Sequence, residues 1–290
     1  MIDLSYYRNI RILSSTIQYL VIIILLMVVM FPIVWMVSTS LKEHYDLFET
    51  PPRWIPRNST TAAYQRIFIS RAGAGGVNFL TYFKNSLIVC SITVLFCILL
   101  AIFSGYALSR FHRRGEKSIF TSILITQMFP LPMFLISFYI MFMRLKLLNT
   151  YTGLIMAYTS FSLPFCIWMI KGFFDKIPLE LEEAALIDGC SRMSALWRVV
   201  IPLVAPGIVA IGIFAFLSAW DEFMFALTLM SQDAMRTLPP GIVLSFVGEF
   251  DVRWEDMMAA SVVATLPVLI VFLILQKYLV EGLTAGAVKG

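Results

Sequence analysis

Two adjacent carboxylates, Asp221 and Glu222, stand inside the long apolar run Val204–Met230 of a 290-residue chain. Four more acids, Glu180, Glu182, Glu183 and Asp188, crowd one short stretch, LELEEAALIDG. The chain is 59% hydrophobic and only 14% charged, so these groups are where chemistry is to be sought first. An ionisable side chain inside a membrane span is costly and is a candidate for function by default. Asp221 and Glu222 could line a polar path for a hydroxyl-rich solute or carry a proton. Equally, they could reach water near an interface or pair with a basic residue. On one continuous helix they would lie about 25 Å along it from the preceding loop and, about 100° apart, would face different partners. Gln127, between Thr126 and the Pro130/Pro132 break, and Trp220, beside the acids, are further candidates for the same path. Phe161, Phe165 and Trp168 follow helical spacing, which suits stacking on sugar rings or ordinary packing and lipid contact.

Other chemistry has no sequence support. ATP hydrolysis needs a phosphate-binding G-x-x-x-x-G-K-[ST] loop, and the glycine-rich RAGAGGVN has no lysine at the required place. There is no H-E-x-x-H, no paired cysteine motif and no G-x-S-x-G, and His44 and His112 are not spaced as metal ligands. No catalytic centre, metal or cofactor is expected in this chain. Cys90 and Cys97 share a helix face but are about 10 Å apart in rise, too far for a disulfide. With Cys166 and Cys190 they read as small apolar fillers. A net charge of +4 spread over many loops makes nucleic acid an unsuitable partner.

The elements that position these residues are membrane helices. Apolar content well above the usual ~45–50% and several runs near the ~20 residues that cross a bilayer predict six spans. They are Tyr19–Met36, Leu87–Ala107, Phe120–Met143, Leu154–Ile170, Val204–Met230 and Met257–Leu279. The expected fold is therefore an all-α polytopic membrane bundle. Long unbroken apolar runs argue against a barrel, and the first run is too long for a cleaved signal. Prolines 130, 132 and 164 interrupt spans 3 and 4, and neighbouring helices or a water-filled cavity can satisfy the backbone groups they free. Ala101 with Gly105, and Ala215 with Ala219, would let spans approach closely. Six spans put both termini on one side, and the dense RFHRRGEK after span 2 places that side in the cytoplasm. The expected organisation is 1–41, N-terminal segment and first span; 42–84, outer loop; 85–280, five further spans; and 281–290, cytoplasmic tail. The outer loop contains TPPRWIP, an amphipathic TTAAYQRIFIS and RAGAGG, and a second outer loop is expected over 231–256.

The acidic stretch then falls in a cytoplasmic loop. Pro178 suits a first helical position, acids in the first turn complement the helix dipole, and Gly189 fits the left-handed position that ends a helix. Ser191 can cap a second short helix, RMSALWRVV. Exposed leucines and alanines on such a helix suit a protein docking groove. The alternative is an interfacial helix lying on lipid, although those are usually basic.

EEAALIDGCSRMSALWRVVIPLVAP resembles the EAA loop of permease subunits in binding-protein-dependent ABC importers. Glu183, Ala184, Ala185, Asp188, Gly189 and Pro202 stand where that motif carries its ATPase-coupling residues, with Val199 and Ile201 as mild departures. FPIVWMVSTSLK, NSLIVCSITV, GYALSRFHRRGEK, SLPFCIWMIKGFFDKIP, AWDEFMFALTLM and EGLTAGAVKG are similar to the maltose-type carbohydrate permeases over nearly the whole chain. Asp221 stands where that family often has asparagine. The resemblance implies a type I importer permease fold with a cytoplasmic coupling helix, in a bacterial cytoplasmic membrane. It implies a second homologous permease, two ATP-binding cassette subunits that hold ATP and magnesium, an extracytoplasmic solute-binding protein, a sugar substrate and the surrounding lipid bilayer. In this scheme Glu183 fixes the docking helix, Gly189 permits its sharp turn, residues 231–256 meet the binding protein, and TAGAVKG also meets the ATPases. The same loop allows a permease for a non-sugar solute such as an amino acid or phosphate. A proton-coupled secondary transporter using Asp221 or Glu222, or a membrane enzyme, is the rival from another class.

Overall fold

The structure is a computed structural model describing residues 4–69, 78–111, 115–247 and 252–287, with side chains within 15–277. The RAGAGG stretch, His112, Arg113 and Arg114 of the basic cluster, and the side chains of TAGAVKG lie outside the described residues. The helices are α1 (Leu4–Ser40), α2 (Ala62–Ile69), α3 (Phe79–Arg110), α4 (Glu116–Ile125), α5 (Leu135–Arg144), α6 (Tyr151–Phe174), α7 (Leu179–Ile187), α8 (Arg192–Ala195), α9 (Ile201–Leu203), α10 (Ala205–Trp220), α11 (Met224–Leu229), α12 (Leu238–Phe246) and α13 (Trp254–Ala287). Four stretches are continuous helices long and apolar enough to cross a bilayer: Ser15–Ser40, Phe79–Arg110, Tyr151–Phe174 and Trp254–Lys277. Two bent pairs bring the total to as many as six if each pair is one span: Lys117–Met128 with Leu131–Arg144, bent by 97°, and Arg192–Leu203 with Ala205–Trp220, bent by 77°.

Two expected spans are thus not continuous helices. Span 3 breaks at Phe129 and Pro130, both extended, because proline disfavours helix in the residue before it and donates no N–H. Span 5 was expected as one helix from Val204 to Met230, but α10 ends at Trp220 and a new helix starts at Met224. Asp221 and Glu222 therefore sit in a helix break, and distances or angular offsets along a continuous helix do not apply to them. The break has a local cause: Glu222 accepts N–H bonds from Phe225 at 2.7 Å and Ala226 at 3.0 Å, capping α11. The described residues of the expected outer loop 231–256 are likewise not an open loop. They hold a 3₁₀ turn at Asp233–Met235 and all of α12.

The chain divides into two compact units. One comprises residues 1–70 and 246–263. In it no residue of the most apolar stretch of α1 is buried within the chain. The segment after α1 folds back on its end: Lys42 donates to the Arg53 carbonyl at 2.6 Å and lies 4.1 Å over the Trp35 ring, and Trp54 packs edge-on against Phe31 and Trp35. The amphipathic stretch forms α2 as expected, burying Ala63 and Ile67. Arg66 of α2 reaches the fully buried Asp256 at 2.7 Å, and His44 lies 3.2 Å from Glu255. The Asp256 carboxylate holds the Arg66 guanidinium above its ordinary pKa.

The other unit comprises residues 71–245 and 264–290. Its core is a three-helix contact among α3, α6 and α10, built on Cys97, Ala101, Cys166, Ile170, Ile211 and Ala215. The small-residue spacing read from the sequence falls here. A β-carbon on Gly105 would come within 2.5 Å of the Ile170 side chain, so α3 and α6 pack closer than any other residue allows. Cys90, Cys97 and Cys166 are buried thiols and Cys190 is half-buried, and none of the four forms a disulfide. Residues 231–246 fold onto α3: Tyr82 donates to Asp233 at 2.7 Å, and Asn85 donates to the carbonyls of Ala234 and Arg236 at 2.9 and 2.8 Å.

Candidate functional site

The acidic stretch folds as its residue types dictate. Pro178, expected at the first helical position, stands one residue before it, and α7 opens at Leu179 with Glu180 and Glu182 in the first turn. At the other end the N–H groups of Gly189 and Cys190 bond to the carbonyls of Leu186 at 3.1 Å and Ala185 at 2.9 Å. This reverse pairing closes a helix end when the intervening residue is left-handed, and Gly189 has φ of +88°. Nothing lies within 4 Å of where its β-carbon would stand, so the glycine answers to backbone conformation alone. Ser191 then caps α8, accepting from the Ser194 N–H at 3.2 Å. The expected second helix is shorter: after four residues it widens into a π turn over Leu196–Val200. Pro202 accounts for this, since it cannot donate to the Arg198 carbonyl and its ring crowds that group. The buried Leu196, Val200 and Val204 carry this run into the core with Tyr106 and Phe174.

The charged residue that fixes α7 within the chain is Glu182, where the sequence pointed to Glu183. Glu182 is 7% exposed. One carboxylate oxygen pairs with Nε of Arg110, and the other accepts from the Tyr106 hydroxyl at 2.9 Å. Arg110 also donates to the Ile177 carbonyl at 3.1 Å. Beside it, Ser109 donates to Asp175 at 2.6 Å, and Lys171 pairs with the other Asp175 oxygen at 2.7 Å. The end of α3 is thereby tied to the end of α6 and to α7 by charge-assisted bonds, each stronger than a neutral one. Ala185 is buried on the same face of α7. Glu183, Ala184 and Asp188 are exposed, as are Leu179, Leu181, Leu186 and Ile187, the last at 86%. A nine-residue helix is thus held from one side by a buried ion pair and shows a largely apolar face on the other.

The path candidates divide. Glu222 and Gln127 line one cavity of about 220 Å³ with Tyr158, Phe161, Ser162, Ser218 and Phe225 among its walls. Gln127 sits in a 3₁₀ turn and donates to the Phe161 carbonyl at 3.1 Å. Trp220 does not line this cavity. It is buried, donates to the Ala264 carbonyl at 3.2 Å and stacks on Phe216, a packing role. Asp221 is exposed and also lies outside the cavity. Phe161 joins a ring cluster with Phe138 and Phe225, and Phe165 packs on Phe214, while Trp168 is largely exposed. Tyr158 went unnoticed in the sequence, because a tyrosine on an apolar helix gives no sign of which neighbours its hydroxyl will meet.

Comparison with known proteins follows the same lines. Residues 97–284 match the family described as binding-protein-dependent transport system inner membrane component. The sulfoquinovosyl glycerol transport system permease protein SmoH of Agrobacterium fabrum is 40% identical, over 96% of this chain and 95% of its own. The diacetylchitobiose uptake system permease protein DasC of Streptomyces coelicolor is 35% identical over 92% and 95%. The trehalose/maltose transport system permease protein MalG of Thermococcus litoralis is 35% identical over 92% and 94%. A crystal structure of a bacterial ABC transporter involved in the import of the acidic polysaccharide alginate aligns with a TM-score of 0.80 at 23% identity, covering 94% of this chain and 98% of that one. Four continuous and up to two bent apolar spans, an anchored α7, the family match and the full-length relatives agree: this chain belongs to the binding-protein-dependent transport system inner membrane components, as a multi-pass permease of an ABC importer.

Proposed function

We propose that this permease forms one half of the translocation path of an ATP-driven sugar importer. A second homologous permease completes the path, and two ATP-binding cassette subunits, which hold the ATP and magnesium, dock from the cytoplasm on the loop from Pro178 to Val200. A soluble binding protein delivers the sugar from outside, and both termini lie in the cytoplasm. The observation that carries this reading is the posture of α7. Its inner side is fixed by Glu182 to Arg110 and Tyr106, and its outer side offers Leu179, Leu181, Glu183 and Ile187 to a groove. Motion of a docked ATPase then passes through α7 into the membrane helix α3. Sugar as cargo is supported by the relatives, which carry sulfoquinovosyl glycerol, diacetylchitobiose and trehalose/maltose in their names.

The test is to purify the tagged chain in mild detergent, identify its companions and measure ATP hydrolysis with candidate binding proteins, for wild type and Gly189→Asp. Wild type should bring a second permease and an ATPase pair, with hydrolysis stimulated by one sugar-loaded binding protein. Gly189→Asp sets a charged side chain on the docking side at a left-handed position, and should insert normally but lose stimulation and uptake. A chain that purifies alone and drives uptake with a proton gradient would overturn the reading.

A further inference from the structure

The chain leaves α1 at Ser40 and then comes back to it. The Thr60 N–H bonds the Leu41 carbonyl at 3.0 Å, and the hydroxyls of Ser40 and Tyr64 meet at 2.8 Å. Residues 42–59 thus form a loop closed at its base on the end of a membrane helix, all within one compact unit. The tip of this loop does not point away from the helix. Ser38 donates to the Trp54 carbonyl, and the Trp54 ring packs edge-on against Phe31 and Trp35, with centroids 4.8 and 5.0 Å away. Phe31 and Trp35 precede Ser40 by about 14 and 8 Å along α1. The loop therefore turns back past the end of the helix and runs down beside its apolar stretch.

The residues carried there suit that level. Trp54 is 47% and Ile55 82% exposed, and Phe31, Val34 and Val37 of α1 are exposed as well. An apolar patch of this kind marks a membrane or protein contact, and depth decides between them. The 26-residue span ending at Ser40 is about 39 Å long, more than the ~30 Å of hydrocarbon it crosses. Its last turns then stand in the interfacial layer, where tryptophan concentrates in membrane proteins. The charges flank the apolar tip without interrupting it. Arg53 pairs with Glu49 at 2.8 Å, Lys42 lies over the Trp35 ring, and Arg57, two residues past Ile55, is exposed. Basic groups at the rim of an apolar anchor reach lipid headgroups.

We propose that residues 51–57 are a hook seated in the bilayer interface, with phospholipid of the leaflet in which α1 ends as its partner. Trp54 and Ile55 enter the lipid beside α1, and the Arg57 guanidinium bonds headgroup phosphate. The hook sets the depth of a helix whose most apolar stretch has no buried residue within the chain to hold it. It requires that α1 crosses a membrane and is independent of the cargo and of the direction in which the chain is inserted.

The test uses the complete complex in vesicles of phosphatidylethanolamine and phosphatidylglycerol, with Cys190→Ser as background because the other three cysteines are buried. A nitroxide is attached in turn at Ile55→Cys, Arg57→Cys and Val34→Cys. Its relaxation by oxygen, which collects in lipid, is compared with that by a water-soluble nickel chelate. All three side chains are exposed, so the substitutions leave the fold intact. Oxygen should exceed the chelate several-fold at position 55, and the two should be comparable at position 57, in the headgroup layer. Chelate exceeding oxygen at position 55 puts the tip in water and overturns the hook. Neither agent reaching position 55 marks a contact with another protein, such as the second permease, and overturns it equally. Chelate exceeding oxygen at position 34 overturns the span on which the hook depends.

Discussion

Replacing Glu182 by alanine should uncouple ATP hydrolysis from transport. The Glu182 and Arg110 side chains are 9% and 5% exposed, so solvent screens their pairing little. Removing one partner of such a pair typically costs about 3–5 kcal/mol, because the other charge stays buried and unpaired. Arg110 would keep only the Ile177 carbonyl and a long contact to Ser109, and Tyr106 would lose its acceptor. At about 3 kcal/mol, the weight of states in which α7 has left its seat on α3 rises more than about 100-fold. The assay is ATP hydrolysis by the whole complex, basal and with a sugar-loaded binding protein, beside uptake in proteoliposomes. Basal hydrolysis belongs to the ATPases and should persist, while stimulation and uptake should collapse. Glu182→Gln keeps an acceptor for Tyr106 and should lose less. The exchange Glu182→Arg with Arg110→Glu should recover part of the coupling, a coupling energy that only a double-mutant cycle isolates. Wild-type stimulation in both Glu182→Ala and Arg110→Ala would refute the idea that this pair holds α7 for its task.

Two further outcomes follow from packing and burial. Gly105→Ala in an exposed helix would gain about 1 kcal/mol, but here the added carbon meets Ile170 at 2.5 Å. Overpacking of about 1–3 kcal/mol should win, lowering the unfolding temperature in detergent, and Gly105→Ala should cost less in an Ile170→Ala background, where the clashing carbon is gone, than in the wild type. Burial pushes the Lys42 ammonium below its ordinary 10.5, with Asp46 opposing. The unfolded chain then holds the proton more tightly than the folded one, so stability rises with pH between the folded value and 10.5. Wild type should gain stability over Lys42→Met as pH climbs into that window, and parallel pH profiles of the two would contradict it.

The arrangement of helices was open to sequence reasoning wherever the signal is local. Apolar run length gives the spans, Pro130 gives the break in span 3, and Pro178, Gly189 and Ser191 set the ends of the two short helices. What escaped depends on meetings between distant residues. Glu182 and Glu183 are neighbours of the same type at the start of one helix, and nothing local distinguishes them. The distinction comes from Arg110, 72 positions away, which ends a membrane helix. Its burial demands a counter-charge, and α7 satisfies that demand with whichever acid faces inward. The leucines of α7 are exposed as expected: Leu179, Leu181 and Ile187 face out while Glu182 and Ala185 occupy the inner side. A helix that buries a glutamate and exposes its leucines is poorly explained as a domestic part of this chain. It is well explained if the apolar face is completed by another protein, with the buried ion pair holding it in place until that protein arrives. The same reasoning separates Glu222 from Asp221. Two acids in one apolar run look alike until a helix break gives one of them backbone N–H groups to cap and a cavity to face, and leaves the other exposed.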